Sequence, residues 1–172
     1  MNLASIHLFC TVLDDALHKH GGKRILIWNG PSKPDQTNAC FLVGAYMILK
    51  RGVDSAQVAK TFGPLLPDLV SYRDIWPGPQ NFELRLEDCW QALSKGVEHG
   101  WVSFAPGRFD ADEYNHFDHP GNADLHVIVP NKLLAMKGPV DLPDGQLWRD
   151  TPEGSRDFSP AHCAEVLADF DV

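Results

Sequence analysis

RILIWNGPSKPDQTNACFLVGAYMIL, residues 24–49, is the stretch that decides the fold class of this chain. It predicts a strand over residues 25–28, a polar loop over residues 29–36 and a helix that starts near Thr37. The helix is apolar on almost every side, which is typical of a helix buried inside a protein. A strand, a loop and a buried helix in this order indicate an α/β fold. In such folds these loops often hold anions, because the amide groups of the helix N-terminus point into them.

Composition and charge exclude several classes of function. The chain has 172 residues and a net charge of −8, which argues against broad binding to nucleic acid or to anionic membranes. No apolar run approaches the ~20 residues of a membrane span, and the N-terminus lacks the layout of a signal peptide. Four widely spaced cysteines, without a Cys-x-x-Cys pair, are typical of reduced thiols. The sequence therefore predicts an intracellular protein of the cytoplasm or nucleus, with no cofactor.

The remaining periodicity predicts further helices and one clear strand. Apolar spacing predicts helices from Leu3 to Leu17 and from Leu86 to Val97, and Asp54 is predicted to cap a short helix. Residues 125–129 predict a strand, and residues 133–136 form a short apolar piece. Residues 140–158 are interpreted as a polar linker, after which Ser159 and a proline open a final helix.

Phosphatase chemistry with a cysteine nucleophile requires a thiolate in an anion-binding loop and an arginine that grips the phosphate. Six positions after the four cysteines stand Ala16, Tyr46, Lys95 and Asp169. None is arginine, so no cysteine has the required spacing. The nucleotide-binding G-x-x-x-x-G-K-[ST] motif is absent too.

Three histidines and two aspartates, His116, His119, His126, Asp118 and Asp124, are candidate metal ligands. A proline and a glycine directly after His119 break any helix there, and no cysteine joins the set. An exposed polar loop is the better interpretation, and the sequence predicts no metal site.

Residues 109–124 form the segment with the strongest charge bias, which is acidic. The segment holds Asp110, Asp112, Glu113, Asp118 and Asp124, with no Lys or Arg between Phe109 and Asn131. One interpretation is a solvated face. The other is a patch that recognises Lys or Arg of a partner peptide through charge-assisted hydrogen bonds.

Several segments together resemble the N-terminal, non-catalytic domain of the cell-division-cycle fourteen dual-specificity protein phosphatases. They are residues 2–4, 38–46, 72–74, 88–93, 95–101, 109–114, 128–132 and 135–139. The resemblance implies a phosphatase-like α/β fold with a central sheet flanked by helices, lacking its first strands. It also implies three parts: a degenerate domain over residues 1–139, the linker 140–158, and the start of a truncated catalytic domain over residues 159–172.

The resemblance further implies two tandem domains, of which the first has lost its nucleophile and the second holds the active Cys and Arg. Substrate peptides, phosphoserine-proline sites with a basic residue nearby, lie in an acidic groove between the domains. Asp112, Glu113 and Asp118 are the candidate peptide-binding residues, although Asn115 departs from the family's acidic pattern. Ser32 and Asn38 stand at the degenerate phosphate-loop positions.

Two hypotheses for function follow. The first is a non-catalytic domain that acts as scaffold and as one wall of the substrate groove, with phosphoprotein substrates and the catalytic domain as partners. The alternative is a stand-alone pseudophosphatase that binds phosphopeptides or proteins. An unrelated hydrolase with a carboxylate pair has no positive signal in the sequence.

Overall fold

A computed structural model of the chain describes residues 1–73, 78–152 and 154–170, which fall into two compact units, Met1–Phe104 and Ala105–Val172. The helices are α1 (Leu3–Lys19), α2 (Lys33–Arg51), α3 (Ser55–Phe62), a 3-10 turn (Leu66–Asp68), α4 (Leu86–Glu98), α5 (Ala111–Asp118) and α6 (Pro160–Ala168). The strands are β1 (Leu125–Val129), β2 (Leu133–Met136), β3 (Trp148–Asp150) and β4 (Arg156–Phe158). Asp74 of the family-like segment and residues 171–172 of the predicted second domain lie outside the described residues.

Helix α2 is the centre of the first unit, as the sequence predicted. Every residue from 36 to 49 is buried or half-buried. Gly52 ends the helix with a φ of 64°, a left-handed conformation that glycine adopts without steric cost. The predicted helices over residues 3–17 and 86–97, and the Asp54 cap of α3, are also confirmed.

The predicted start of α2 near Thr37 is wrong, because the helix begins four residues earlier, at Lys33. Ser32 caps it by accepting a hydrogen bond from the backbone N–H of Asp35 at 3.2 Å. Pro34 fits in the first turn, where a backbone N–H needs no helical partner. The polar loop is therefore shorter than the predicted residues 29–36.

Trp90 holds α4 against α2 by packing and by a hydrogen bond. Its side chain is fully buried, and its Nε1–H donates to the carbonyl oxygen of Phe41 at 3.2 Å. Gly44 lies directly under the indole ring, so close that a Cβ there would overlap the ring. Phe62 of α3 packs on another side of Trp90, with 5.2 Å between ring centroids. One indole thus joins three helices, and only glycine permits its approach to α2.

The mixed α/β class is confirmed, but the strands are arranged differently from the expectation. The predicted strand over residues 25–28 is not formed, and the described residues contain two two-stranded antiparallel sheets rather than one central sheet. A strand requires a neighbour to accept its backbone hydrogen bonds. No neighbouring strand lies beside residues 25–28 within the described parts of the chain.

The second unit contains both sheets. The predicted strand over residues 125–129 is confirmed as β1, which pairs with β2 so that Leu125 lies opposite Met136. Residues 140–158, predicted to be a polar linker, contain the β3–β4 hairpin. Ser159 caps α6 as predicted. The division of the chain at residues 139 and 158 stays a prediction.

Partly buried charges connect the segment after β2 to β4. Lys137 Nζ donates to the carbonyl oxygen of Arg156 at 2.9 Å and to Asp157 at 3.0 Å. Asp157 also accepts from Arg149 at 2.7 Å, and Arg156 donates to the carbonyl oxygen of Gly121 at 3.0 Å. Asp157 is only 16% exposed, and its two cationic partners hold the pKa of its carboxyl below the usual value.

The contact between Gly44 and Trp90 predicts a large stability effect from one methyl group. We expect G44A to lower the free energy of unfolding by roughly 1–3 kcal/mol, because the indole is fully buried and has no space into which to move. Urea titration followed by circular dichroism measures the change. The matched control is G21A, where an added Cβ would contact nothing closer than 4.0 Å. Equal midpoints for the two variants would contradict this account of the core.

Asp14 of α1 predicts a pH dependence. It accepts hydrogen bonds from Lys50 at 2.9 Å and Tyr46 at 2.7 Å on α2, and these partners lower its pKa. A lowered pKa in the folded state adds stability above the unfolded value of about 3.9, and this stability disappears as the pH falls through the folded value.

We expect D14N to be less stable than the wild type at neutral pH, by about 1 kcal/mol for a partly exposed pair, and equally stable near pH 2. Urea midpoints across this range measure the difference. D15N, at an exposed neighbouring position, should show none of it. A D14N deficit that persists in acid would contradict the ion-pair explanation.

Candidate functional site

The loop before α2 is the predicted counterpart of a phosphate-binding loop, and its own side chains fill it. Ser32 Oγ donates to a carboxylate oxygen of Asp35 at 2.7 Å. The same carboxylate lies against Gly30, where an added Cβ would overlap it. The Nδ2 group of Asn29 donates to the carbonyl oxygen of Gly30. A negative charge therefore occupies the space at the helix N-terminus where an anion would bind.

Ser32 and Asn38, the predicted degenerate phosphate-loop positions, both have structural partners. Ser32 caps α2, and Asn38 lies in its second turn, where its Oδ1 accepts a hydrogen bond from the hydroxyl of Tyr72 at 3.0 Å. Next to them, the fully buried Thr37 Oγ1 is hydrogen-bonded to both the N–H and the carbonyl of Val70. These bonds fasten the first turns of α2 to residues 70–72. Their assignment as remnants of a phosphate loop stays a prediction.

The acidic segment, interpreted from the sequence as a solvated face or a peptide-recognition patch, contains the helix α5. Asp110 caps it by accepting from the backbone N–H groups of Asp112 and Glu113, at 2.9 and 3.0 Å. Acidic side chains in the first turn are stabilised by the helix dipole. Both side chains are exposed, and residues 107–113 line a depression of about 500 Å³. Arg108 is part of the same lining, so the depression is acidic with one basic group.

Asp118 lies at the other end of α5 and is engaged with the sheet. Its carboxylate is 3.2 Å from Nδ1 of His126 in β1, and the carboxylate of Asp124 lies 4.0 Å from the other ring nitrogen. Asp112 and Glu113 lie in the first turn of α5 and line the depression, whereas Asp118 is the last residue of the helix and is not part of that lining. The structure therefore brings Asp112 and Glu113 to one depression but does not bring Asp118 to it.

The candidate metal ligands have separate hydrogen-bond partners. His119 Nδ1 accepts from the N–H of Gly121 at 3.0 Å, and the carbonyl oxygen of His116 accepts from Asn122 Nδ2 at 2.7 Å. Over residues 1–73, 78–152 and 154–170, no cluster of three or more His, Cys, Asp or Glu side chains has the arrangement of a metal site.

A second depression, in the first unit, was not predicted from the sequence. It has a volume of about 580 Å³ and an apolar wall from Leu66, Pro67, Leu69 and Val70. Glu83, Arg85 and Glu87 supply its polar rim. Glu83 and Arg85 lie in the extended segment before α4, and Glu87 lies in the first turn of that helix. The three closely spaced charged residues were the available signal in the sequence. None of the described helices has the length and apolarity to cross a membrane.

Comparison with known proteins identifies the family. Residues 1–96, more than half of the chain, match the family model described as "Dual specificity protein phosphatase, N-terminal half". The chain is 34% identical over 143 residues to dual specificity protein phosphatase CDC14A of Homo sapiens, and 32% identical over 143 residues to CDC14C of Symphalangus syndactylus. Each match covers 81% of this chain. The chain belongs to the CDC14 family of dual-specificity protein phosphatases.

The match covers only part of each relative. It spans 24% of CDC14A of Homo sapiens, 29% of CDC14C of Symphalangus syndactylus and 20% of tyrosine-protein phosphatase cdc-14 of Caenorhabditis elegans, which is 26% identical over 147 residues. The matched family model describes the N-terminal half of these phosphatases, and the resemblance found in the sequence is thereby confirmed.

The four cysteines of this CDC14-family chain are poor nucleophiles. Burial raises the pKa of Cys10 to about 11, an effect that Lys50 reduces and Asp14 adds to. Burial raises the pKa of Cys89 to about 11 too, with a further contribution from Asp88. The pKa values of Cys40 and Cys163 are also raised by burial. A catalytic thiol requires the opposite shift.

These raised pKa values predict slow alkylation. At neutral pH a thiol of pKa about 11 has a thiolate fraction ~300-fold smaller than one of ordinary pKa near 8.5. We expect iodoacetamide to modify Cys10 and Cys89 of the native chain at least ~100-fold more slowly than free cysteine, as followed by mass spectrometry. Alkylation of the urea-unfolded chain is the control and should proceed at the ordinary rate. Fast modification of either residue in the native chain would reveal an activated thiolate and contradict this assignment.

Proposed function

We propose that this chain is the non-catalytic N-terminal part of a CDC14-type phosphatase, where it serves as scaffold and as one wall of the substrate groove. The proposed substrates are phosphoserine-proline peptides with a basic residue nearby. The observation that carries it is the pair of exposed carboxylates, Asp112 and Glu113, beside the depression over residues 107–113. In this proposal the protein acts inside the cell, in the cytoplasm or nucleus, where cysteines remain reduced.

The chemistry of the wall is electrostatic. A Lys or Arg side chain of the peptide would lie between Asp112 and Glu113 and donate charge-assisted hydrogen bonds to their carboxylates. Both carboxylates remain in water, so each contact adds modest affinity and falls with ionic strength. The net charge of −8 favours the approach of a basic peptide. The wall therefore selects and orients the peptide rather than reacting with it.

Asp118 has a supporting role in this proposal. Its contact with Nδ1 of His126, at 3.2 Å, fixes the C-terminal end of α5 against β1, which holds the first turn of the helix and its two exposed carboxylates in place. A peptide that bound Asp118 directly would have to compete with this histidine. Asp112 and Glu113 are thus the residues of the predicted set that remain available for the peptide.

Phosphate capture is assigned to another part of the enzyme. The Asp35 carboxylate at the N-terminus of α2 repels an anion at that loop, and none of the four cysteines has an arginine six positions later. Thiolate attack on the phosphoserine belongs, in this proposal, to the catalytic domain of the family. The carboxylate at Asp35 also disfavours the alternative in which a stand-alone pseudophosphatase holds the phosphate group in this loop.

The proposal predicts a charge-specific loss of peptide recognition. Fluorescence anisotropy measures the binding of two labelled phosphoserine-proline peptides, one with a nearby lysine and the other with alanine in its place. We expect the wild-type chain to prefer the lysine peptide, and the D112K/E113K double variant to bind that peptide about 5–10-fold more weakly and to lose the preference.

The matched control is D141K/D144K, which changes the net charge by the same amount at two exposed positions of the same unit. This control should keep the preference for lysine. A preference that survives in D112K/E113K, or one that is lost equally in both double variants, would contradict the proposed wall.

A further inference from the structure

Asn29 and Gly30 form the only Asn-Gly step of the sequence. A backbone amide nitrogen attacks the side-chain amide carbon of the preceding asparagine most readily when it belongs to glycine, because no side chain then hinders the approach. The residues that follow the other asparagines are all larger: Leu3, Ala39, Phe82, His116, Ala123 and Lys132. The sequence therefore distinguishes one asparagine as chemically labile.

The structure places this step in the loop before α2, outside any helix or strand. The Nδ2 group of Asn29 donates to the carbonyl oxygen of Gly30 at 2.6 Å, so the side chain is folded toward the residue with which it would react. Within the described ranges, 1–73, 78–152 and 154–170, the N–H group of Gly30 donates no hydrogen bond. The attacking nitrogen is therefore not held by another partner.

Two other asparagines are held in helices, which oppose this reaction. Asn38 lies in α2 and Asn115 lies in α5. In both, the amide nitrogen of the next residue is engaged in the helical hydrogen-bond pattern. The side-chain oxygen of Asn38 also accepts from the hydroxyl of Tyr72 at 3.0 Å. Asn38 is therefore a useful internal reference for the reactivity of Asn29.

We propose that Asn29 is a site of spontaneous deamidation, by which this chain acquires aspartate or isoaspartate at position 29. The nitrogen of Gly30 forms a bond to Cγ of Asn29 while the Cγ–Nδ2 bond breaks, and Nδ2 leaves as ammonia with the proton of the Gly30 amide. Water then opens the cyclic imide. Attack of water at Cγ gives aspartate, whereas attack at the backbone carbonyl carbon of residue 29 gives isoaspartate, whose main chain runs through Cγ.

Both products change the charge at the start of α2. The carboxylate of Asp35 already lies against Gly30, and it accepts a hydrogen bond from Ser32 Oγ at 2.7 Å. A carboxylate at position 29 has no hydrogen to donate to the carbonyl oxygen of Gly30, so the bond made by Asn29 is lost and a second negative charge is added beside the first. Isoaspartate also lengthens the backbone by one methylene just before the Ser32 cap. Deamidation therefore weakens the start of the central helix of the first unit.

Peptide mapping by mass spectrometry of the 172-residue chain, after incubation in mildly alkaline buffer at physiological temperature, tests the site. We expect the amide at Asn29 to become an acid while Asn38 stays an amide. An isoaspartyl methyltransferase should transfer methyl groups to the incubated chain, and at least about tenfold fewer to N29Q, because glutamine would have to close a larger and less favourable ring. Circular dichroism establishes that N29Q folds.

The N29D variant reproduces the aspartate product and tests the structural consequence. We expect its urea midpoint to fall below that of the wild type. The matched control is N81D, which makes the same charge change at an exposed asparagine of the first unit and should keep the wild-type midpoint. Neither measurement involves Asp112 or Glu113, so this proposal and the proposed peptide wall are tested separately.

Three outcomes would overturn the proposal. The first is an amide that persists at Asn29 in the folded chain, or conversion at Asn38 that is as fast. The second is equal methyl transfer to the wild type and to N29Q. The third, which concerns the structural consequence, is an N29D midpoint no lower than that of N81D.

Discussion

The approach of the Trp90 indole to the backbone of α2 is the constraint on which the first unit depends. The ring is fully buried and donates to the carbonyl oxygen of Phe41, while Gly44 leaves the space that the ring occupies. A buried indole N–H without an acceptor would cost a hydrogen bond, so position and orientation are fixed together. With Phe62 against the same ring, α2, α3 and α4 share one contact point. Because this packing fixes α2, it also fixes where the loop before α2 lies.

Local sequence predicted the elements whose signals are local. The burial of α2, the bounds of β1 and the Ser159 cap of α6 follow from apolar runs and capping residues within a few positions. The strand expected over residues 25–28 depends on a neighbour, and no pattern within those residues shows whether one is there. The early start of α2 has a different cause: Pro34 suggests a loop but is equally acceptable in a first helical turn once Ser32 caps it.

The same distinction between local and non-local signals applies to the candidate site. The sequence shows that carboxylates are dense between residues 110 and 124, but composition says nothing about direction. Once α5 forms, Asp118 lies at the opposite end of the helix from Asp112 and Glu113, where it contacts His126. The position of the Asp35 carboxylate over the loop could not be predicted from the sequence either, because it depends on contacts with Gly30 and Ser32. The loop that the sequence predicts to be the counterpart of a phosphate-binding loop thus holds a carboxylate of its own, which agrees with the non-catalytic role proposed above.

The bonds of Lys137 have a consequence for where this chain is divided. A fragment that stopped at Pro139, the boundary suggested by family resemblance, would keep the lysine and discard the carbonyl of Arg156 and the carboxylate of Asp157 that hold it. It would also take the guanidinium of Arg156 away from Gly121, in the turn between α5 and β1. The hairpin over residues 148–158 therefore supplies hydrogen bonds that stabilise the unit containing the acidic helix. A recombinant piece designed to carry that helix has to extend past Phe158.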